Sequence, residues 1–376
     1  MRRDQPIRGL VTSESVDAED RARLIHGARG LGVELIDHPA SDNAQMAAAL
    51  DAVPEAEVML ADFLPDASAE AATTGLSHAF GLVALSDDMS AEVREAAGRR
   101  VRDLRWIQLA AVGVNQEVGS FVWRDAPHVQ VTTASGLPSL AMAQYVVAAI
   151  LNHAHGFGRL GHYREVRDWS VRREFQTEVL LGRTLGLLGY GGTGQRTAHI
   201  AHALGMRVIA VRRSGAGQSP ARYRLPAIEA IEQGRHPAEV WGIEALDQLL
   251  QASDYLACTL PLTRETRGLI GARELALLRP GAFVINVSRG PIFDEIALIE
   301  ALRAGRLAGA ALDVFATEPL PADSALWEMS NVLLSPHASG THDHVSEYTA
   351  DLFLANLVRY MAGDALLNLA DRDRGY

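Results

Sequence analysis

Lysine is absent from this 376-residue chain, so all 35 of its permanent side-chain cations are arginine. That excludes Schiff-base chemistry, a P-loop lysine and a lysine general base. The bias itself reads as genomic base composition. There is one cysteine, Cys258, so no internal disulfide can form. This fits a reducing compartment and gives a cytoplasmic expectation. No apolar run reaches the roughly eighteen residues that a transmembrane helix needs. The N-terminal MRRDQPIRGLV has basic residues but no apolar h-region, so it does not read as a signal peptide. A net charge of -11 argues against nucleic acid or an anionic membrane as partner. Low-complexity segments and short repeats are lacking too.

What is present is an ordinary soluble composition, 48% hydrophobic and 22% charged, at a length suited to two domains. Two α/β patterns follow one another. The first has short apolar runs at Ile7–Thr12, Val33–Asp37, Glu57–Leu60, Gly81–Ser86, Arg105–Leu109 and His128–Thr132, separated by helical stretches. Strands alternating with helices predict a parallel sheet covered on both faces. A long helix is predicted through AMAQYVVAAILNHA, with Pro138 near its start and Ser139 as a cap. The charged HYREVRDWSVRREF then carries the chain to a second sheet. There the predicted strands are Thr184–Leu188, Arg207–Val211, Tyr255–Thr259, Ala282–Val287, Gly309–Phe315 and Val332–Ser335. Helices are expected at Gln195–Leu204, Gly271–Leu278 and Phe293–Ala304. Residues 214 to 241 are long for a connection in such a unit and read as an insertion, with a short helix at Ala227–Gln233.

Between the first strand and helix of the second pattern lies Gly189-x-Gly191-x-x-Gly194. Gly189 suits a tight turn, Gly191 lets backbone approach a pyrophosphate, and Gly194 lets the helix pack closely on the sheet. The spacing alone is a weak signal. Its position after a strand and before a helix is the context that makes it a dinucleotide site. NAD-binding proteins usually carry an acid after the next strand, to hold the ribose 2′-OH. Here the strand ends in Arg212-Arg213, which suits a 2′-phosphate. The expected cofactor is therefore NADP(H), with NAD(H) as second choice.

In open parallel sheets, ligands bind beyond the carboxyl ends of the strands. Thr259-Leu260-Pro261 follows one strand, Ser288-Arg289-Gly290 the next, Asp313 closes another, and His337 follows the last. Glu318 lies on the same edge, in ATEPLP. Thr259, Pro261, Val287 and Asp313, with Gly192 and Thr193 of the glycine turn, are expected to line the cofactor. A carbonyl that accepts hydride needs a proton donor, and imidazole suits that near neutral pH. A 2-oxo acid needs a cation for its carboxylate, and arginine can bind both oxygens. An acid beside the histidine can orient the ring and favour imidazolium.

These residues resemble the D-isomer-specific 2-hydroxyacid dehydrogenase family. The matching stretches are IQLAAVGVN, TASGLPSLAMAQYVVAAIL, LLGRTLGLLGYGGTG, LPLTRETRGLIG, PGAFVINVSRGPIFDEIAL, ALDVFATEPLP, NVLLSPHASG and the closing NLADRDRGY. The resemblance runs from about Arg105 to the C-terminus and is faint before it. It implies a Rossmann dinucleotide-binding domain at 138–337, inserted into a flavodoxin-like substrate domain at 1–137 that 338–376 completes. Both are doubly wound parallel sheets of the α/β class, with the site in the cleft between them. It further implies Arg289 on the substrate carboxylate and carbonyl, His337 as acid/base, Glu318 as its partner and Asp313 near the nicotinamide carboxamide. The backbone of Val112 and Gly113 resembles the carboxylate-binding turn of the smaller domain. A homodimer is implied, and a D-configured product.

Three departures stand out. Gln144 stands where the family usually has glutamate, the acid after the second strand is replaced, and the 214–241 stretch is long. Glyoxylate and hydroxypyruvate are the first substrates expected, because bacterial reductases of these acids often carry a basic pair after that strand. The pocket wall is expected around Leu60–Leu64. The rival reading is a dinucleotide-sensing regulator resembling the C-terminal-binding-protein corepressors, since fold alone does not assign function. Formate dehydrogenase, a rival within the class, carries glutamine where Glu318 stands. His153 and His155 do not share a helix face. His342 and His344 in THDH are not read as a metal site, because hydride transfer needs none. Cys258 is expected to be a packed core thiol.

Overall fold

The computed structural model describes residues 6–62, 91–114, 120–167, 169–173, 175–213, 223 and 238–374. The chain divides into two compact units. One contains 1–137, 218–225 and 342–376; the other contains 138–217 and 226–341.

The first unit holds β1 Ile7–Val11, β2 Val33–Asp37, β3 Val58–Ala61, β4 Trp106–Leu109 and β5 Gln130–Thr132. Their order is β2-β1-β3-β4-β5, every pairing is parallel, and this is the flavodoxin order. Alternate residues feed two cores. Leu10, Met59 and Ile107 pack on one face with Met46, Val101 and Trp123. Val11, Leu60 and Trp106 pack on the other with Leu24, Phe353 and Leu357. The C-terminal helix Val345–Ala362 therefore completes this unit, with Phe353 stacked on Trp106 at 4.9 Å. The expected strand Gly81–Ser86 lies outside the described residues.

The second unit holds β6 Thr184–Leu188, β7 Arg207–Arg212, β8 Glu239–Gly242, β9 Tyr255–Cys258, β10 Ala282–Asn286, β11 Leu307–Leu312 and β12 Val332–Leu334. The order β12-β11-β10-β9-β6-β7-β8 is fully parallel. Strand order reverses between β6 and β9, which makes the crevice beyond their carboxyl ends the switch point. The central strands are buried on both faces, which is why they read as unbroken apolar runs.

Five expectations shift. β8 lies inside the stretch read as an insertion. Its sequence EVWG is a half-exposed edge with no apolar run to betray it, tied to β7 by Arg207 Nε on Glu239 at 2.8 Å. The helix after the glycine turn begins at Gly192 rather than Gln195, so two of the glycines are helical. Ser139 is the first residue of its helix, not a side-chain cap; Pro138 precedes it and no side chain caps that end. Ala338–Thr341 group with the second unit, because the Asp313 carboxylate holds the N–H groups of Ala338 and Ser339. The charged stretch after the long helix is itself largely helical, over Phe157–Val166 and Ser170–Arg173. The predicted helix at Ala227–Gln233 lies outside the described residues.

Candidate active site

The turn after β6 is built by its glycines. Gly189 has φ +103, a left-handed conformation that side chains rarely adopt. A Cβ there would also come within 2.9 Å of Thr259 Oγ1, across the switch point. A Cβ on Gly194 would overlap the Gly189 carbonyl oxygen, so the helix seats directly on the turn. Gly191 is the opposite case: a Cβ there would meet no atom within 4 Å. No side chain caps the helix that follows. The arrangement leaves a helix N-terminus with free donors and open space before it, which fits a pyrophosphate. Gly192 approaches Ser139 Oγ, Thr193 is half-buried, and Thr259 Oγ1 donates to the carbonyls of Leu188 and Gly189.

Arg212 ends β7, and Arg213 follows it; both are exposed. No acid forms an ion pair with either among the described residues. Glu239, one of the acids on the nearby long segment, is taken by Arg207. Glu229 and Glu232 lie outside the described residues. Pro261 is exposed and Val287 buried at the ends of their strands.

Beyond β10, the Arg289 Nη1 donates to the Ser288 carbonyl at 2.8 Å. Its Nε is buried with no hydrogen-bond partner among the described residues. Burial pushes the guanidinium below the usual arginine range, while the Glu318 carboxylate works against that shift. Asn286 fixes the turn by donating to the Arg289 carbonyl and accepting from the Ser288 N–H. A Cβ on Gly290 would overlap the Phe315 carbonyl and the Ala316 nitrogen. That glycine is what lets the Arg289 turn lie against the loop carrying Glu318. Gly290→Ala should therefore lower unfolding free energy by about 1–3 kcal/mol and depress turnover as well, because the obstruction is backbone and cannot rotate away. Denaturant melts with steady-state kinetics check this. Wild-type stability in the variant would show that the two turns separate freely.

His337 Nδ1 lies 2.7 Å from Glu318 Oε2, and Glu318 Oε1 accepts the Phe315 N–H at 2.9 Å. Burial would raise the Glu318 value. The bonds from His337 and Phe315, with the charges of His337 and Arg289, outweigh it and hold the carboxyl below its ordinary range. An ionised carboxylate only accepts, so Nδ1 carries the proton of this bond. The His337 side chain is 30% exposed, and its Nε2 has no hydrogen-bond partner among the described residues. One cation with an unused buried donor and one oriented imidazole are thus gathered around a single carboxylate.

The family model for the D-isomer specific 2-hydroxyacid dehydrogenase NAD binding domain matches residues 147–339. A glyoxylate reductase of Thermococcus gammatolerans is 36% identical over 296 residues, which cover 77% of this chain and 81% of that protein. The chain belongs to the D-isomer specific 2-hydroxyacid dehydrogenase family. A hydroxypyruvate reductase of Blautia hydrogenotrophica is 30% identical over 271 residues, covering 69% of this chain and 77% of that one. A crystal structure of a D-isomer specific 2-hydroxyacid dehydrogenase from Xanthobacter autotrophicus Py2, in complex with NADPH and MES, matches with a TM-score of 0.71. Its identity is 26%, over 99% of this chain and all of that one. As a 2-hydroxyacid dehydrogenase, the chain is an oxidoreductase that uses a nicotinamide cofactor. The regulatory reading finds no support among these relatives.

The remaining candidates of this dehydrogenase fall as follows. Asp313 is buried, and its carboxylate is engaged by Ser335, Ala338 and Ser339. Val112 and Gly113 follow β4 in the first unit, with Val112 exposed. Leu60 is a core residue, and 63–64 lie outside the described residues. Gln144 is on an exposed helix face. Cys258 is fully buried, and burial pushes its thiol up to about 12, as an inert core thiol requires. His153 stacks on Phe283 at 4.2 Å, a packing role. Among the described residues, no group of three or more metal-ligating side chains could hold a metal ion, and no helix is long and apolar enough to cross a membrane. Sequence reasoning missed the part that Ser335 and Tyr145 play beneath His337. Nothing in the spacing of two hydroxyls 190 positions apart could have joined them.

Proposed function

We propose that this dehydrogenase reduces small 2-oxo acids, glyoxylate and hydroxypyruvate first among them, to D-2-hydroxy acids, with NADPH preferred over NADH. The observation that carries the reading is the 2.7 Å bond from His337 Nδ1 to Glu318, the carboxylate whose charge also acts on Arg289. When bound, the nicotinamide supplies the hydride. Arg289 binds the substrate carboxylate. His337 Nε2 would give its proton to the carbonyl oxygen, and Glu318 keeps the ring turned. The donors at Gly191–Gly194 hold the pyrophosphate, and Thr259, Pro261, Val287 and Asp313 flank the cofactor. Two close relatives are named for glyoxylate and hydroxypyruvate, which supports the choice of acids. Initial rates on a panel of 2-oxo acids with each cofactor test it. No turnover of any 2-oxo acid would defeat it.

The cofactor preference rests on Arg212 and Arg213, exposed and without an ion-paired acid among the described residues. Two such arginines on a 2′-phosphate are worth ~1–3 kcal/mol, or about ten- to a hundredfold in kcat/KM. The double variant Arg212→Ala, Arg213→Ala should erase this advantage. A preference that survives both substitutions, or none in the parent, would leave the pair a solvated strand end.

A cytoplasmic homodimer completes the reading. Phe157, Leu160, Trp169, Val179 and Leu181 of the second unit are exposed apolar side chains that a partner copy would cover. Light scattering should give twice the chain mass of 40.5 kDa. A monomer at assay concentration would refute the dimer and leave the chemistry untouched.

A further inference from the structure

His337 is held from behind as well as by Glu318. Its backbone φ is +54, in the left-handed region that side chains rarely adopt. Such a conformation persists only when its surroundings over-determine it. Here Asp313 and Ser335 do so. The His337 N–H is shared between the Asp313 carbonyl at 2.8 Å and the Ser335 carbonyl at 3.1 Å. The Asp313 carboxylate accepts the next two N–H groups, from Ala338 at 2.8 Å and from Ser339 at 3.1 Å. Asp313 is fully buried, so the direction of its carboxylate is set by its partners alone.

The remaining partner is Ser335, whose Oγ lies 2.6 Å from Asp313 Oδ1. Tyr145 of the helix Ser139–His155 brings its hydroxyl within 2.8 Å of Ser335 Oγ. The direction of these bonds follows from the groups. A carboxylate gathering backbone N–H groups acts as acceptor, so the Ser335 hydroxyl donates to it. The Ser335 oxygen then accepts, and Tyr145 donates. Burial pushes the Tyr145 phenol up from its ordinary value, so it keeps the proton it donates. The result is a relay of position from a helix to a loop: Tyr145 to Ser335, Ser335 to Asp313, and Asp313 to the backbone on either side of the imidazole.

We propose that Tyr145 and Ser335 are positioning residues for proton transfer, acting through Asp313 to aim the His337 imidazole at the substrate carbonyl. Neither hydroxyl bonds to His337 or Arg289, so their effect passes through geometry. The inference rests on the reading of His337 as the acid/base. Misplacing a reacting group by about 1 Å can cost a hundredfold in rate, so losing the relay should register in turnover before it registers in binding.

The test uses the full chain with saturating nicotinamide cofactor and the best oxo acid of the panel. Tyr145→Phe removes one oxygen from a half-buried ring and should fold. It is expected to lower kcat by about three- to tenfold and Ser335→Ala by about ten- to a hundredfold, with little change in KM for either substrate. Ser335→Thr, which keeps the hydroxyl, should recover most of the rate. Because Tyr145 acts only through Ser335, the double variant should be no slower than Ser335→Ala. The solvent deuterium isotope effect on kcat should rise in Tyr145→Phe, as a poorly aimed proton transfer comes to limit turnover. His337→Gln serves as the control. If His337→Gln is nearly inactive while Tyr145→Phe and Ser335→Ala turn over like the parent, the positioning role is wrong and the acid/base reading stands. Multiplying effects in the double variant, or an unmoved isotope effect, would likewise overturn the relay. If His337→Gln keeps its rate, the acid/base reading itself fails.

Discussion

Arg289→Ala is expected to lower kcat/KM for 2-oxo acid reduction by roughly thirty- to several-thousandfold, with a raised KM. The estimate is the about 2–5 kcal/mol that follows when one partner of a desolvated charge pair is removed. The protein already bears the cost of keeping this guanidinium out of water. Burial depresses its value, Nε finds no partner, and Nη1 is taken by the Ser288 carbonyl. A carboxylate arriving at Nε would supply the missing acceptor. Arg289→Lys should not restore activity, because an ammonium lacks the planar fork that meets both carboxylate oxygens. Steady-state kinetics on folded variants decide the matter. Near-parental kcat/KM in Arg289→Ala would remove Arg289 from the substrate's reach.

His337→Gln should reduce kcat by about a hundred- to ten-thousandfold, the usual contribution of a placed general acid, and leave cofactor affinity near its starting value. Glu318→Gln should be milder in turnover, because the ring loses its anchor and not its proton; an unmoved kcat would mean that the carboxylate 2.7 Å from Nδ1 does not orient the imidazole. Its effect on stability carries a definite sign. The Glu318 carboxyl is held below its ordinary value in the folded chain. Its ionised form therefore contributes stability that is complete above the ordinary carboxylate range and is lost as pH falls through the lowered value. Glu318→Gln should lack that component of acid unfolding.

Much of this was legible from residues alone, for identifiable reasons. Strands β6, β9 and β10 are buried on both faces, so their sequences are unbroken apolar runs that announce themselves. A glycine-rich stretch between a strand and a helix implies a tight turn and a close helix seat, and Gly189 and Gly194 form them. Arg289, Glu318 and His337 were grouped because each follows a parallel strand on one edge, and the structure brings them around one carboxylate. What escaped has physical causes too. β8 is an edge strand with a charged and an aromatic residue in place of an apolar run. The Tyr145–Ser335–Asp313 chain is tertiary, and no local pattern encodes it.

The pairing of β7 with β8 changes what the long segment between them is for. Two parallel neighbours cannot be joined by a tight turn, because one ends at the sheet edge opposite to where the next begins, and a crossover of about a dozen residues or more is obligatory. The parallel pairing of β7 and β8 therefore requires a connection of that kind, rather than leaving it an ornament inserted into a finished fold. Shortening the segment thus has a floor set by geometry. Trimming it to a short linker would detach β8 and release Glu239 from Arg207, while removing only the excess over one crossover would leave the sheet, and the two arginines at the end of β7, where they are.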